Sequence, residues 1–338
     1  MEKNKSVLVT GGAGYVGAVL VPKLLDRGWK VSVLDTMFFT DMGLGAVKNN
    51  PNLTVVQGDI RNADDRAKAL KGTTAVIHLA SISNDPSSDL NPQLTQEVNF
   101  EATVALAKDA KAAGVGTFVN VSSSSVYGIK ETPNVTEDLP LEPLTIYSKA
   151  KAEAEPIVMA MADEKFFPIT IRPATVCGYS PKMRLDLSVN ILTMHALTKG
   201  IITVFGGAQK RPNIHIDDIT DYYVDIIEMP GEKVSGGIYN AGYENFTLMQ
   251  IAEMVRDIVG QNVEITVTPS NDNRSYHISS AKIQQELGLA PKKTIKDAVL
   301  DIKNAAAAGK INWDEVNYYN VKKMKQLFDA GAVTFRKE

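Results

Sequence analysis

Residues 6–35 read as one unit. The apolar run Ser6–Thr10 (SVLVT) enters the glycine-rich stretch Thr10–Gly17 (TGGAGYVG), an amphipathic segment Tyr15–Arg27 follows, and a second apolar run, Lys30–Leu34, delivers Asp35. No other feature constrains the chain as much. A strand that passes through a tight turn into a helix, and then into another strand, must return as a parallel neighbour by a right-handed crossover. The glycines fit G-x-G-x-x-G from Gly12 and the wider G-x-x-G-x-x-G from Gly11, with Gly14 and Gly17 common to both. Glycine permits positive φ and close approach of the backbone to a pyrophosphate, whose charge faces the helix N-terminus. The backbone around Tyr15 and Val16 belongs to the same cradle. Asp35 follows Gly17 by 18 residues, where a carboxylate hydrogen-bonds the adenosine ribose of a dinucleotide. It would also repel a 2′-phosphate, and no arginine occurs in Thr36–Asp41. The expected cofactor is NAD rather than NADP.

The rhythm continues. Leu53–Val56, Ala75–Leu79, Thr117–Val121 and Ile169–Arg172 are further short apolar runs, apolar throughout as strands covered on both faces should be. Helical stretches separate them, among them Asn99–Ala113, which Gly114 would cap. The expected fold is α/β, a Rossmann-type doubly wound parallel sheet. After Arg172 the loops lengthen (GYSPKMR, FGGAQKRPN, TPSNDNRS) around helices such as Leu187–Thr198 and Leu248–Ile258. No linker or repeat intervenes. The expected division is therefore a dinucleotide domain over residues 1–175, with a return segment near 212–242. A smaller, interleaved α/β substrate domain would occupy mainly 176–338. Pro22 and Pro156 fall inside helical segments and are expected to kink them without ending them.

Composition removes several classes. Thirty-six basic and 39 acidic side chains give a net charge of −3, so no global attraction to nucleic acid or an anionic membrane is expected. No apolar stretch approaches the ~18 residues of a membrane helix. Four histidines and the single Cys177 are scattered, which argues against a structural metal site. One cysteine fits a reducing, cytoplasmic setting. His215, in the IHID run, reads as a packing residue, and Cys177 as an inert buried thiol.

Proton chemistry is suggested by Tyr147-Ser148-Lys149-Ala150-Lys151, which puts a phenol and an ammonium one helical turn apart. Tyr318/Lys322 and Tyr319/Lys323 share that spacing, but only Tyr147 follows a serine-rich strand end, Val121–Gly128 (VSSSSVYG), with Ser123 lying 24 residues earlier. The later pairs read as a solvated helix face. A phenol titrates near ~10, too high for a base at neutral pH. Nearby cations, here Lys151 and an oxidised nicotinamide ring, each lower it by about 1–3 pH units.

With TGGAGYVG, Gly58–Ile60 (GDI), His78–Ser81 (HLAS), Asn99, the serine run, Tyr147-x-x-x-Lys151 and Arg172-Pro173, the chain resembles the extended short-chain dehydrogenase/reductases. More narrowly it resembles their nucleotide-sugar epimerase/dehydratase group, over nearly its whole length. The resemblance implies that Asp59 and Ile60 flank the adenine, that Leu79, Ala80 and Ser81 line the ribose and nicotinamide, and that Val176 also meets the cofactor. It makes Tyr147 the catalytic acid and base, Lys151 its partner and a ribose ligand, and Ser123 the hydroxyl that positions the reacting oxygen. Ser124, Arg184, Asn190, Arg211 and Arg274 would meet the nucleotide-diphosphate sugar: Arg211 and Arg274 at the diphosphate, and Asn190 and the loop Lys182-Met183-Arg184 where sugar and phosphate contacts are made. Dehydrating relatives carry an Asp-Glu pair immediately after the residue equivalent to Ser123, and decarboxylating relatives keep an acid there. This chain has Ser124 and Ser125.

The expected activity is therefore NAD-dependent epimerisation of a nucleotide sugar at C4. Net redox at C4 uses the same residues and stays open, and a non-catalytic NAD-binding regulator is the reading from another class. Relatives pair the helices here expected at Asn99–Ala113 and Thr145–Ala162 across a dimer axis. Ala102, Ala105, Ala152 and Ala154 would allow that close approach, and a homodimer is expected.

Overall fold

The computed structural model describes residues 5–130, 132, 134–270 and 277–333. Its first half alternates strand and helix as the periodicity requires. The elements are β1 (Ser6–Thr10), α1 (Gly17–Asp26), β2 (Lys30–Asp35), β3 (Leu53–Gln57), α2 (Ala63–Leu70), β4 (Ala75–His78), α3 (Asp85–Ser88) and α4 (Pro92–Gln96). Next come α5 (Ala102–Ala112), β5 (Thr117–Val121), α6 (Ile146–Met159) and β6 (Phe167–Pro173). The second half contains β7 (Thr175–Cys177), α7 (Ser188–Lys199), β8 (Ile201–Phe205), β9 (Lys210–His215), α8 (Ile216–Glu228), α9 (Gly231–Val234) and β10 (Ile238–Ala241). It closes with β11 (Glu244–Thr247), α10 (Leu248–Val259), β12 (Glu264–Thr268), α11 (Ala281–Leu287), α12 (Ile295–Ala307) and α13 (Asn320–Asp329).

Seven strands form one parallel sheet in the order β10-β6-β5-β4-β1-β2-β3. Successive side chains of a strand point to opposite faces, and each face has its own core. Val7 and Val9 pack with Leu20, Leu24, Ile219 and Tyr223 from α1 and α8. Leu8 packs with Val76, Ala107, Phe118 and Val158 on the α5 and α6 side. β10 joins β6 in parallel, with Ile238 opposite Thr170, so a strand far along the chain completes the edge of the first sheet. The remaining strands form small sheets, β11-β9-β7 and β12-β8. Helices α7, α10 and α12 close over β8 through Val189, Ile251, Val255 and Val299.

Some expectations need correction. β3 lies at the sheet edge, so it is not covered on both faces, and Thr54, Val55 and Gln57 are exposed. The helix expected at Asn99–Ala113 begins earlier: α4 continues through a wide π-type turn at Glu97–Glu101 into α5. Gly114 does end it, with φ +80. Pro22 and Pro156 both lie inside continuous helices, α1 and α6. Tyr318 is not on a solvated helix face. It is 4% exposed and packs with Met183, Leu185 and Ile302. Ala102 and Ala154 are buried within the chain, so neither can sit at a subunit surface.

Candidate active site

The carboxyl ends of the parallel strands open into a large cleft of about 650 Å³. This is where ligands of open α/β sheets bind. At one end lies the glycine turn. Gly11 has φ +70, and a Cβ there would stand 2.8 Å from the Ala80 nitrogen. A Cβ on Gly17 would collide with the Gly12 carbonyl. The turn is therefore pressed against both the end of β4 and itself, and it leads directly into α1 at Gly17: the Ala18 amide donates to the Gly14 carbonyl (2.9 Å) and the Leu20 amide to that of Val16 (3.0 Å). Asp35 closes the turn from the side: its carboxylate accepts from the amides of Ala13 (3.1 Å) and Met37 (2.9 Å). Burial pushes Asp35 above the usual carboxylate range against the pull of these amides and of Lys182.

Every residue that the sequence assigned to NAD lines this cleft, from Gly11 and Gly14 through Asp35, Asp59, Ile60 and the Leu79–Ser81 loop to Tyr147, Lys151 and Val176. The side chain of Tyr15 turns away, and its hydroxyl donates to the Gly178 carbonyl (2.8 Å). Asp59 is held by the Arg61 guanidinium (2.7 Å). The π-type turn carries Asn99, which accepts from Ser81 and Ile82 and donates to the Ile82 carbonyl (3.0 Å). That fixes the loop beyond β4. A tight glycine cradle, a helix start and a held ribose-side carboxylate fit a dinucleotide.

At the other end stand Ser123, Tyr147 and Lys151. Thr145 caps α6 in a capping box with Ser148, which sets Tyr147 in the first turn and Lys151 one turn later on the same face. Lys151 is 4% exposed, and its ammonium donates to the Val121 carbonyl (2.9 Å). Burial lowers its pKa to about 8 against the attraction of Glu155. Ser123 is extended, and its Oγ accepts from the Ser125 amide (3.1 Å) and lies 2.8 Å from the Ser125 Oγ.

Behind this wall lies a buried polar network that sequence reasoning did not find. Arg172 meets Glu155 through both Nε and Nη2, the latter at 2.6 Å. Ser122 also donates to Glu155 (2.5 Å), and Arg172 donates to the Tyr127 hydroxyl (2.7 Å), which donates to Asn240 on β10. The network ties α6 to β5, β6 and β10. Only Arg172-Pro173 hinted at it, through the family pattern.

The second half supplies the opposite wall. Arg184 lines the cleft, but its guanidinium is paired with Asp186 (3.0 Å) and donates to Ser83. Asn190, expected to meet the sugar, is instead buried and spent on structure, bonding the Gly178 amide, the Tyr15 hydroxyl and the Arg184 carbonyl. Ser124 and Arg211 face the cleft. Arg274 lies outside the described residues. Asn84 and Asp85 also line the cleft. The pair Asn84-Asp85 ahead of Pro86 does signal a helix start, but not which way it faces. Asn84 holds φ +78, ψ 155, caps α3 and donates to Asp186 (2.6 Å).

His215 is not merely a packing residue. Its Nδ1 accepts from the Asp217 amide (3.1 Å) at the start of α8, and its Nε2 lies 3.2 Å from Asp301. His215, Asp217 and Asp301 bring donor atoms within 4.8 Å of one another. Lys293 already supplies the positive charge there, 2.5 Å from Asp217. Cys177 is buried, and burial pushes its thiol up. No helix among the described residues is long and apolar enough to cross a membrane.

This arrangement has known counterparts. A dTDP-glucose 4,6-dehydratase from Streptomyces griseus is 28% identical over 306 residues, covering 87% of this chain and 91% of its own. A UDP-glucose 4-epimerase from Corynebacterium glutamicum is 26% identical over 306 residues, covering 85% and 91%. Among solved structures, UDP-glucuronic acid 4-epimerase from Bacillus cereus, in complex with UDP-glucuronic acid and NAD, superposes with a TM-score of 0.79 at 26% identity, covering 88% of this chain and 99% of that one. The NAD dependent epimerase/dehydratase family model matches residues 7–242. The protein is an NAD-dependent enzyme of the nucleotide-sugar epimerase/dehydratase family.

Proposed function

We propose that the enzyme epimerises a nucleotide-diphosphate hexose at C4. NAD, when bound, supplies the hydride acceptor and returns the hydride. Tyr147 takes the proton from the C4 hydroxyl as the ketone forms and gives it back after the sugar has presented its other face. The Lys151 ammonium, held at Val121, lowers the cost of the phenolate. Ser123 donates to the reacting oxygen and is itself held by Ser125.

One observation favours epimerisation over dehydration: the cleft has no uncommitted carboxylate among its described residues. Asp35 is bonded to amides, Asp59 to Arg61, Asp85 to Thr145 (2.7 Å) and Asp186 to Arg184 and Asn84. Ser124 and Ser125 stand where dehydrating relatives carry their acidic pair. Loss of water across C5–C6 needs a base and an acid with separated pKa values, and two serine hydroxyls do not supply them. Purified protein incubated without added cofactor against UDP-, GDP-, CDP- and dTDP-hexoses tests this. Proton NMR is expected to show inversion at C4 in one of them. A product lighter by one water overturns the reading.

The proposed assembly is a homodimer through α5 and α6. Ala105 and Ala152 are half-buried on these helices, and Ile157 is 39% exposed beside Pro156. Light scattering at micromolar concentration is expected to report twice the chain mass, and Ile157→Glu to halve it.

A further inference from the structure

The cleft holds a lysine that neither the chemistry nor the fold has accounted for. Lys182 lies in the loop between β7 and α7 and is 2% exposed, yet its ammonium makes no hydrogen bond or ion pair among the described residues. The ammonium lies over the ring of Phe39, with Nζ 4.7 Å from the centroid. A buried ammonium without an anion is costly, and a contact with an aromatic face offsets only part of that cost. The fold nevertheless fixes this loop in place. The Tyr15 hydroxyl donates to the Gly178 carbonyl, the Ser180 hydroxyl donates to the Tyr15 carbonyl (2.8 Å), and Asn190 donates to the Tyr15 hydroxyl. The loop is thus registered against the glycine turn itself.

Position decides which ligand it serves. Phe39 follows β2 by a few residues, and Asp35, at the end of β2, attracts Lys182. Both lie at the glycine-turn end of the cleft. The proton-transfer residues belong to the end of β5 and the start of α6, and two strands, β1 and β4, separate β5 from β2 in the sheet. We propose that Lys182 binds a phosphate group on the adenosine half of the nicotinamide cofactor, so that a loop of the second half of the chain clamps the cofactor onto the first. The clamp is independent of which sugar is turned over and of the reaction performed on it.

The groups facing Lys182 are Arg184, Asp186 and Asp35. Burial, with Arg184, holds its pKa down to about 7 against the two carboxylates. A phosphate brought against it favours the charged form. At pH 8, binding therefore takes up part of a proton, and affinity falls as pH rises from 7 to 9.

The test is equilibrium binding of NAD, ADP, NADP and adenosine, each exchanged onto the purified holoprotein, for wild type and Lys182→Met. The variant is expected to bind NAD and ADP about 10- to 100-fold more weakly, as loss of a charged hydrogen bond predicts, to bind adenosine unchanged, and to lose the proton uptake. Loss confined to NADP places the contact at a 2′-phosphate, whereas loss shared by NAD and ADP places it at the diphosphate. Unchanged affinity for all four ligands, or an equal loss for adenosine, overturns the proposal. Lys182→Met is expected to melt no lower than wild type, since it removes an unpaired buried charge. Should it fail to fold, Lys182→Arg must retain NAD affinity, and its loss there also overturns the proposal.

Discussion

The two walls of the cleft are built on different principles. On the sheet wall, every charged group is satisfied by the protein itself. Lys151 has the Val121 carbonyl, Glu155 and Arg172 have each other, and Tyr127 links them to β10. On the wall supplied by the second half, Arg184 and Asp186 form a more open pair, with side chains 12% and 19% exposed, and Lys182 has no counter-ion. The first wall is finished before anything binds. The second is completed by ligand. Chemistry demands the former arrangement, because a proton donor that must first be positioned loses its advantage. Recognition tolerates the latter, because the ligand brings the missing charges.

The largest test of this contrast is Tyr147→Phe. Removing one proton-transfer group costs about 10²–10⁴ in rate, and here the same phenol serves both the oxidation and the return. Turnover by NMR is expected to fall by at least about 10⁴, with NAD affinity by calorimetry unchanged within about threefold. If NAD affinity collapses as well, the sheet wall is not preformed and the contrast fails.

Stability should divide the walls next. Glu155 and Arg172 are 2% and 4% exposed at their side chains. Truncating one partner of such a pair costs about 3–5 kcal/mol, because it strands the other charge. The more open Arg184–Asp186 pair should cost only about 1 kcal/mol. Urea melts of Glu155→Ala and Asp186→Ala are expected to rank in that order by at least about 2 kcal/mol. Equal losses would mean that the second wall is as rigid as the first.

The same contrast explains what the sequence discloses. Strands of the large sheet are legible because burial on two faces writes unbroken apolar runs, and the glycine turn because its spacing is dictated by close approach to the backbone. β3 misleads, since an edge strand can keep Val55 and Val56 while exposing one of them. Asn190 and Arg184 mislead for another reason. Residue type gives bonding capacity, but only the fold shows that capacity already spent, as on the Gly178 amide and on Asp186. The Glu155–Arg172 network joins residues on α6 and β6 with Tyr127 and Asn240 far along the chain, and no local pattern records such pairings.

Cofactor choice is where the walls meet. Asp35 on the sheet side disfavours a 2′-phosphate, while Lys182 on the other side favours any phosphate. Bonds to the Ala13 and Met37 amides hold Asp35 against the glycine turn, and on the proposed ribose contact NAD is expected to bind at least about tenfold more tightly than NADP. Asp35→Asn should bring the ratio towards one in a calorimetric titration. Equal affinities in the wild-type protein would remove Asp35 from its role.

The smallest effect lies beneath the glycine turn. His78 is fully buried, with Nδ1 2.7 Å from the Thr10 hydroxyl and Nε2 2.8 Å from that of Thr103. Burial, helped by Lys151, lowers its pKa to about 3, against ~6.5 in an unfolded chain. The folded protein therefore keeps His78 neutral where the unfolded chain would take up a proton. Its contribution to stability is complete above about pH 6.5 and is lost as pH falls towards 3, at no more than about 1.4 kcal/mol per pH unit. His195, His215 and His277 are also held below their usual value and steepen the wild-type curve in the same window. The difference between wild type and His78→Gln isolates the buried ring. Stability measured by urea melts from pH 6.5 to 4.5 is expected to fall less steeply in the variant, by about 1 kcal/mol per pH unit. Parallel curves would mean that His78 takes up its proton without unfolding, and that the sheet wall yields where it is proposed to be rigid.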